Sequence, residues 1–309
     1  MNWKTLSHSS PKKLENIQNR KLRYFIQHKI PFSPYYNKLF KKNKINFSDI
    51  KTTNDLKKIP FTTKEDIAPT KNNPKKHADF ILQPNKDTIK TYSSTFDLVK
   101  YSLNKNSVFK EFKPVHLHFT TGRTANAVPF LYTSYDLEKL RESGRRMMDI
   151  LDINKDNKLI NAFPYAPHLA FWATFFAAEA SGIFALHTGG GKILGTDKII
   201  KSIENTKATL LAAIPGFAYH LSREAKNKKA DFSSVKKIFF GGERVSKGLR
   251  EKIRNMLASI GSKNPEIFAT YAFTEGKVAW AECKENSGYH LYPDMEFIEI
   301  TDKNGEDVG

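Results

Sequence analysis

Apolar positions along this chain fall into two textures. Leu14, Ile17, Leu22, Phe25 and Ile26 recur at roughly helical spacing. Pro31, Pro34, Pro60, Pro69, Pro74 and Pro84 then punctuate short elements. Residues 12–90 therefore read as helical and irregular. Thr62-Thr63-Lys64-Glu65-Asp66 sets hydroxyls ahead of acidic residues, the pattern that opens a short helix. From residue 111 short β-prone runs alternate with longer amphipathic ones. Strands are predicted over 115–119, 128–132, 159–163, 183–187, 209–214, 235–240 and 266–270. Helices are predicted over 134–151, with Ser134 as its cap, and over 168–180, 198–205, 216–226 and 246–260. The 168–180 segment is apolar all round and so reads as buried. This alternation predicts an α/β fold, its mostly parallel sheets flanked by helices with right-handed crossovers.

After Thr270 the pattern becomes β-rich, with strands expected over 278–283 and 296–301. Asn304-Gly305 is a hairpin turn signal, and only Glu306-Asp307-Val308-Gly309 follow it. A returning strand is begun and not completed, so a truncated chain is expected. The expected organisation is a helical and irregular segment, 1–110, packing on the core. An α/β core follows over 111–270, then the start of an incomplete β-rich subdomain over 271–309.

Composition narrows the class. Hydrophobic content of 39% and aromatic content of 12% suffice for a real core in 309 residues. No apolar run reaches the roughly 18–20 residues of a membrane span. The longest candidate, 169–186, is broken by Glu179 and Gly182. Met1-Asn2-Trp3-Lys4 lacks the apolar core of a signal peptide, and the single cysteine, Cys283, excludes an internal disulfide. A soluble cytoplasmic protein is the expectation. The net charge of +18 invites a polyanion-binding reading. The lysines, however, are spread beside asparagine and isoleucine and form no aromatic-laced patch. Loose polyanion binding at low salt is expected, and no specific nucleic-acid partner.

Three polar turns carry candidate chemistry. His118-Phe119-Thr120-Thr121-Gly122-Arg123-Thr124-Ala125-Asn126-Ala127-Val128-Pro129 is a hydroxyl-rich turn between two strands. It can offer N–H groups, hydroxyls and a guanidinium to a polyphosphate, or be a plain polar hairpin loop. Phe239-Phe240-Gly241-Gly242-Glu243 runs a buried strand into a glycine turn at its carboxyl end. In open α/β sheets ligands sit at that edge, although a plain βα turn reads the same. Tyr271-Ala272-Phe273-Thr274-Glu275-Gly276 follows the next strand as a predicted loop. Its ring can stack on a base, and its hydroxyl and carboxylate can meet a phosphate and Mg2+. It reads equally as a loop with an exposed glutamate.

Together, in this order and spacing, the three turns resemble the signature of the adenylate-forming (ANL) superfamily, and of its phenylacetate–CoA ligase branch in particular. The resemblance covers about residues 30 to 309. Ser33-Pro34-Tyr35-Tyr36-Asn37 and Leu56-Lys57-Lys58-Ile59-Pro60-Phe61-Thr62-Thr63-Lys64-Glu65-Asp66 are similar to that branch's N-terminal pattern. Thr188-Gly189-Gly190-Gly191 and Ile214-Pro215-Gly216-Phe217-Ala218 resemble its acyl-pocket region. Ala281-Glu282-Cys283 and Gly288-Tyr289-His290 resemble a further block.

The resemblance implies an ANL large-domain fold and an acid–thiol ligase. ATP activates a carboxylic acid as an acyl- or aryl-adenylate, and the acyl group then passes to CoA. Thr120, Thr121, Gly122, Arg123 and Thr124 would form the phosphate loop. Gly241, Gly242, Glu243, Tyr271 and Ala272 would surround adenine, while Thr274 and Glu275 would serve phosphate and Mg2+. Thr124 and Glu275 would be the catalytic pair. Tyr165, His168, Phe171, Gly189, Gly190, Pro215 and Phe217 would line the acid pocket, whose rings suit a flat apolar acid. Cys283 and His290 would supply half of a structural Zn2+ site, or else be a buried thiol and a surface imidazole. A homodimer stays open.

The departures are specific. Ala125, Asn126 and Ala127 replace the family loop's second glycine and proline-lysine-like tail, and Ala272 replaces a glycine. The family's ribose-binding aspartate and its mobile C-terminal domain with the adenylation lysine would lie beyond Gly309. On this sequence the chain is expected to bind nucleotide and to adenylate poorly. One rival is a non-catalytic nucleotide- or acyl-binding relative, and another a polyanion-binding protein. Thr188-Gly189-Gly190-Gly191-Lys192-Ile193-Leu194-Gly195 lacks the spacing of a dinucleotide loop, and no Walker loop is present.

Overall fold

The computed structural model describes residues 3–120, 127–303, 305, 306 and 308. The chain forms two compact units. One comprises Met1–Lys113, Arg123–Val128 and Leu291–Gly309, the other Pro114–Gly122 and Pro129–His290. Among the described residues no helix is long and apolar enough to cross a membrane.

The first unit is helical, with α1 (Trp3–Ser7), α2 (Pro11–His28), α3 (Pro34–Lys42), α4 (Lys64–Ile67), α5 (Lys86–Tyr92), α6 (Thr95–Leu103) and α7 (Asn106–Phe112). Ile26 of α2 packs with Ile30, Phe40 and Ile50, and Leu22 lies against them. Phe25, expected on the same face, is 47% exposed. Buried Asn19 stands on that face, and its Oδ1 accepts the Thr53 N–H at 2.9 Å. Helix α4 opens as predicted, with the Asp66 carboxylate accepting the Thr63 N–H at 2.7 Å. Buried Lys29 joins α2 to α6 and α7. Its ammonium lies 3.3 Å from Asp97 and 2.5 Å from Glu111. Burial works against ionisation of Asp97, but the Tyr24 hydroxyl, Lys29 and Ser94 outweigh it and hold that carboxyl below its ordinary range.

The strand expected over 296–301 does not form. Tyr292 instead accepts the N–H groups of Met295 and Glu296 in a turn, and only Thr301 makes a bridge. Gly305 sits in a turn at φ +84°, and Asn304 lies outside the described residues.

The second unit holds the sheets. Strands β1 (Pro114–Phe119) and β2 (Pro129–Thr133) form an antiparallel pair. Then follow α8 (Ser134–Ile150), β3 (Lys158–Asn161), α9 (Leu169–Ser181), β4 (Phe184–His187), α10 (Thr196–Thr206) and β5 (Leu210–Ala213). The chain continues through α11 (Pro215–Asn227), β6 (Lys237–Phe240), α12 (Lys247–Ala258), β7 (Glu266–Phe273) and β8 (Val278–Ala281). Thr133 caps α8, not Ser134. Its hydroxyl accepts the Asp136 N–H while the Asp136 carboxylate accepts the Thr133 N–H, a reciprocal capping box.

The large sheet has the order β4-β3-β5-β6-β7-β8, parallel except for β8. Period-2 alternation sends Leu210 and Ala212 to one face and Leu211 and Ala213 to the other, so β5 is buried on both. Met147, Met148, Phe171, Ala177 and Ala178 of α8 and α9 cover the first face. Residues of α10, α11 and α12, among them Ile203, Leu221 and Leu257, cover the second. Helices α8 and α9 meet closely at Gly144, where an added Cβ would lie 2.6 Å from Ala177 Cβ. The chain leaves β3 toward β4 on one side and returns to β5 on the other. The β3/β5 carboxyl edge is therefore the topological switch point, where open α/β sheets bind ligands.

Candidate active site

The polar loops that follow β3, β4, β5 and β6 all leave the same carboxyl edge, because those strands are parallel. At the end of β3, Asn161 is fully buried. Its carbonyl accepts both the N–H and the hydroxyl of Thr188, at 3.0 and 3.1 Å. Its Nδ2 lies 3.0 Å from His187 Nδ1. Burial lowers the His187 pKa, which favours a neutral ring that can accept this bond. The Thr188 hydroxyl in turn accepts the Gly190 N–H at 3.2 Å. Asn161 thereby fastens the β3 loop to the β4 loop.

The predicted acid-pocket residues gather here in part. The Tyr165 N–H donates to the Gly189 carbonyl at 3.1 Å, and the Tyr165 and Phe171 rings meet edge-on at 5.3 Å. Gly190 has φ +77°, and an added Cβ would lie 3.3 Å from the Ala162 carbonyl and Pro164 Cα. Phe217 presses on Gly191, where an added Cβ would come within 2.6 Å of its ring, and Pro215 is buried at the start of α11. His168 faces elsewhere. Its Nδ1 donates to the Phe119 carbonyl at 3.0 Å, while the Phe119 N–H donates to the Pro167 carbonyl at 2.7 Å. The start of α9 is thus tied to the strand that leads into the predicted phosphate loop.

Gly241 and Gly242 follow β6 directly. Beside Gly241 stand Thr270 and Phe163, and the Thr270 hydroxyl donates to the Phe240 carbonyl at 2.8 Å. Gly242 has φ +81° and is exposed, with open space save for Ile214 at 3.5 Å from a hypothetical Cβ. Bare backbone at this edge fits the close approach of a flat ring. Glu243 is exposed.

The loop predicted from Tyr271 is largely strand, because β7 runs on to Phe273 by pairing Ala272 with Ala279 and Phe273 with Val278 of β8. Ala272 therefore has ordinary extended backbone, and its methyl carries no positive-φ penalty. Tyr271 is half exposed, with one ring face stacked on Trp280 at 5.6 Å. Thr274 and Glu275 occupy the following turn. Thr274 is buried, and its carbonyl accepts from the Tyr132 hydroxyl at 3.0 Å. Glu275 is exposed and makes no hydrogen bond or ion pair with a described residue. A bare carboxylate of this kind fits a hard cation such as Mg2+.

Thr120 is half-buried just beyond β1. Thr121, Gly122, Arg123 and Thr124 lie outside the described residues, as do Ala125 and Asn126. Cys283 and His290 are both exposed. Among the described residues no group of three His, Cys, Asp or Glu side chains could hold a metal, so the Zn2+ expectation gains no further ligand.

Sequence reasoning passed over Asn161, Thr270, Tyr132 and Lys277. Asn161 alone carried a signal, as the one polar residue in the run Leu159-Ile160-Asn161-Ala162-Phe163.

This fold and edge define a doubly wound α/β protein whose loops gather at one sheet edge. The chain belongs to the AMP-binding enzyme family, whose model matches residues 60–295. It is similar to the phenylacetate–coenzyme A ligase of Thermus thermophilus, with 20% identity over 94% of this chain and 57% of that protein. The phenylacetate–coenzyme A ligase of Aromatoleum evansii is 23% identical over 97% of this chain and 60% of that protein. The chain thus spans about three-fifths of these relatives' length. Among solved structures, 2-hydroxyisobutyryl-CoA ligase in complex with 2-HIB-AMP and CoA superposes with a TM-score of 0.74. That match has 17% identity and covers 96% of this chain and 57% of that one. An open conformation of that ligase matches with a TM-score of 0.73.

Proposed function

We propose that the chain carries the nucleotide and acid sites of an ATP-dependent acyl- or aryl-CoA ligase. The observation that supports this best is the arrival of the β3, β4, β5 and β6 loops, with the half-exposed ring of Tyr271, at one sheet edge. In this reading the backbone of Gly241 and Gly242 and the Tyr271 ring hold adenine, with Glu243 and Ala272 beside them. Residues 120–124 and Thr274 hold the phosphates. Tyr165, Phe171, Gly189, Gly190, Pro215 and Phe217 shape the acid pocket, and His168 fixes the entry of α9. Mg2+, held at Glu275, would neutralise polyphosphate charge. A cytoplasmic setting supplies both ATP and CoA.

The chemistry asks for positioning and charge neutralisation more than for a protein nucleophile. An acid carboxylate oxygen bonds to the α-phosphorus, and the bond to the bridging oxygen breaks with its electrons leaving on pyrophosphate. The CoA sulfur then bonds to the acyl carbon, AMP leaves, and the thiol proton passes to solvent. ATP–pyrophosphate exchange with a panel of flat aromatic acids tests this. Acid-dependent exchange supports it. Nucleotide binding without exchange for any acid favours the second reading, a non-catalytic relative, which Ala125, Asn126 and Ala127 in the phosphate loop support.

A further inference from the structure

We propose that Tyr132 and Lys277 are positioning residues that clamp the 274–277 turn from both ends and so aim Glu275 at the bound nucleotide's metal; this rests on the nucleotide reading above. The turn joins β7 to β8, and nothing within the described residues holds the Glu275 side chain itself. The ends of the turn are held firmly. At the first end, the fully buried Tyr132 donates to the Thr274 carbonyl at 3.0 Å. Burial, then the nearby Asp136 and Glu275 carboxylates, push the Tyr132 phenol up, so it stays a donor. At the other end, the Lys277 ammonium donates to the Leu131 carbonyl at 3.0 Å and to Asp136 at 2.8 Å. It also lies 4.8 Å above the Tyr132 ring.

Lys277 has φ +56°, in the left-handed region that glycine takes without strain. Backbone geometry alone would select glycine there. What lysine adds is an ammonium that reaches three groups on β2 and α8. The Asp136 oxygen it contacts also accepts the Thr133 N–H and hydroxyl, so the clamp is anchored in the cap of α8. The hairpin itself does not need the clamp. Its ladder pairs Ala272 with Ala279, Tyr271 stacks on Trp280, and Ser143 of α8 bonds both the Ala279 N–H and carbonyl. Loss of the clamp should therefore free the turn and leave the hairpin.

The test is ATP titration of the wild type, Tyr132→Phe, Lys277→Gly and Lys277→Arg, with Mg2+ and with EDTA, alongside melting curves. Lys277→Gly relieves the strained φ and deletes the ammonium. The expected result is a melting temperature near wild type and about a tenfold loss of ATP affinity in Mg2+, equivalent to one charge-assisted bond. Affinity in EDTA stays unchanged, Tyr132→Phe loses less, and Lys277→Arg recovers most of the affinity. Wild-type affinity in Lys277→Gly and Tyr132→Phe would overturn the clamp and leave the nucleotide reading standing. So would an equal loss in Mg2+ and in EDTA. No ATP binding by the wild type would overturn both.

Discussion

Arg250 and Glu282 form a two-pronged buried ion pair, with nitrogen–oxygen distances of 3.0 and 3.1 Å. The pair closes an open strand edge. Glu282 accepts the Ala269 N–H at 2.7 Å, and Glu285, paired with Arg254, accepts the Ile267 N–H at 2.9 Å. These are the β7 amides that point away from β6. Two carboxylates stand where another strand would, and each is neutralised by an arginine of α12. Strand β7 is thereby held straight up to Thr270 and Tyr271 at the candidate site.

Removing one partner strands the other charge in the interior. Glu282→Ala is expected to lower stability by about 3–5 kcal/mol in urea denaturation. Replacing both Arg250 and Glu282 with Met and Leu should cost clearly less. An equal loss from both would contradict a role dominated by charge pairing.

His118 gives a pH dependence. The ring is fully buried, neither nitrogen has a hydrogen-bond partner among the described residues, and burial lowers its pKa to about 4. His116, His168 and Lys277 nearby push the same way. The unfolded ring titrates near 6.5. Between these values the unfolded chain binds a proton that the folded chain refuses. Stability is therefore fully kept above about pH 6.5 and lost as pH falls toward about 4, by on the order of 2–3 kcal/mol. Half-buried His116 and His187, also lowered by burial, add in the same direction. Denaturation midpoints of wild type and His118→Phe across pH 4 to 7 check this. The variant should show a flatter profile, and parallel profiles would contradict the assignment.

Gly144 pits helix propensity against packing. Alanine in a helix interior normally gains up to about 1 kcal/mol over glycine. Here the added methyl would sit 2.6 Å from Ala177 Cβ and 2.7 Å from its Cα, with backbone on the far side. Packing wins, and Gly144→Ala should destabilise by about 1–3 kcal/mol. A stabilised variant in thermal melts would show that α8 and α9 can separate at little cost.

Ala272 tests the family departure directly. Its backbone is extended and pairs with Ala279. Restoring the family's glycine should therefore leave ATP affinity within about threefold and weaken the strand by roughly 0.5–1 kcal/mol. A large gain in affinity from Ala272→Gly would mean that the methyl obstructs the ligand.

Much of the α/β unit was legible from short-range pattern. The four apolar residues of β5 and the mostly apolar α9 announce burial, and the structure buries all of β5 and seven of the thirteen residues of α9. Legibility failed where the deciding contact is distant in sequence. Tyr271, Ala272 and Phe273 read as loop because only pairing with β8 makes them strand. The 296–301 run has strand composition, yet the turn at Tyr292 takes up its start and only its last residue, Thr301, makes a bridge. Phe25 keeps helical spacing but is exposed, while polar Asn19 is buried and holds the Thr53 N–H. The glycines and the Thr274-Glu275 turn were visible as a candidate site because a backbone that takes positive φ at a sheet edge demands unusual residues. The groups that hold that site, Asn161, Thr270, Tyr132 and Lys277, act across 27 to 146 residues of sequence and leave little local trace.

Deuterium exchange of the protein with and without ATP·Mg2+ is the most direct check that nucleotide sits on the carboxyl edge of the parallel strands. The expected result is slowed exchange in peptides covering 241–244 and 271–276, with helix α2 unchanged. Nucleotide binding that leaves both of those segments at their free rates would contradict the placement.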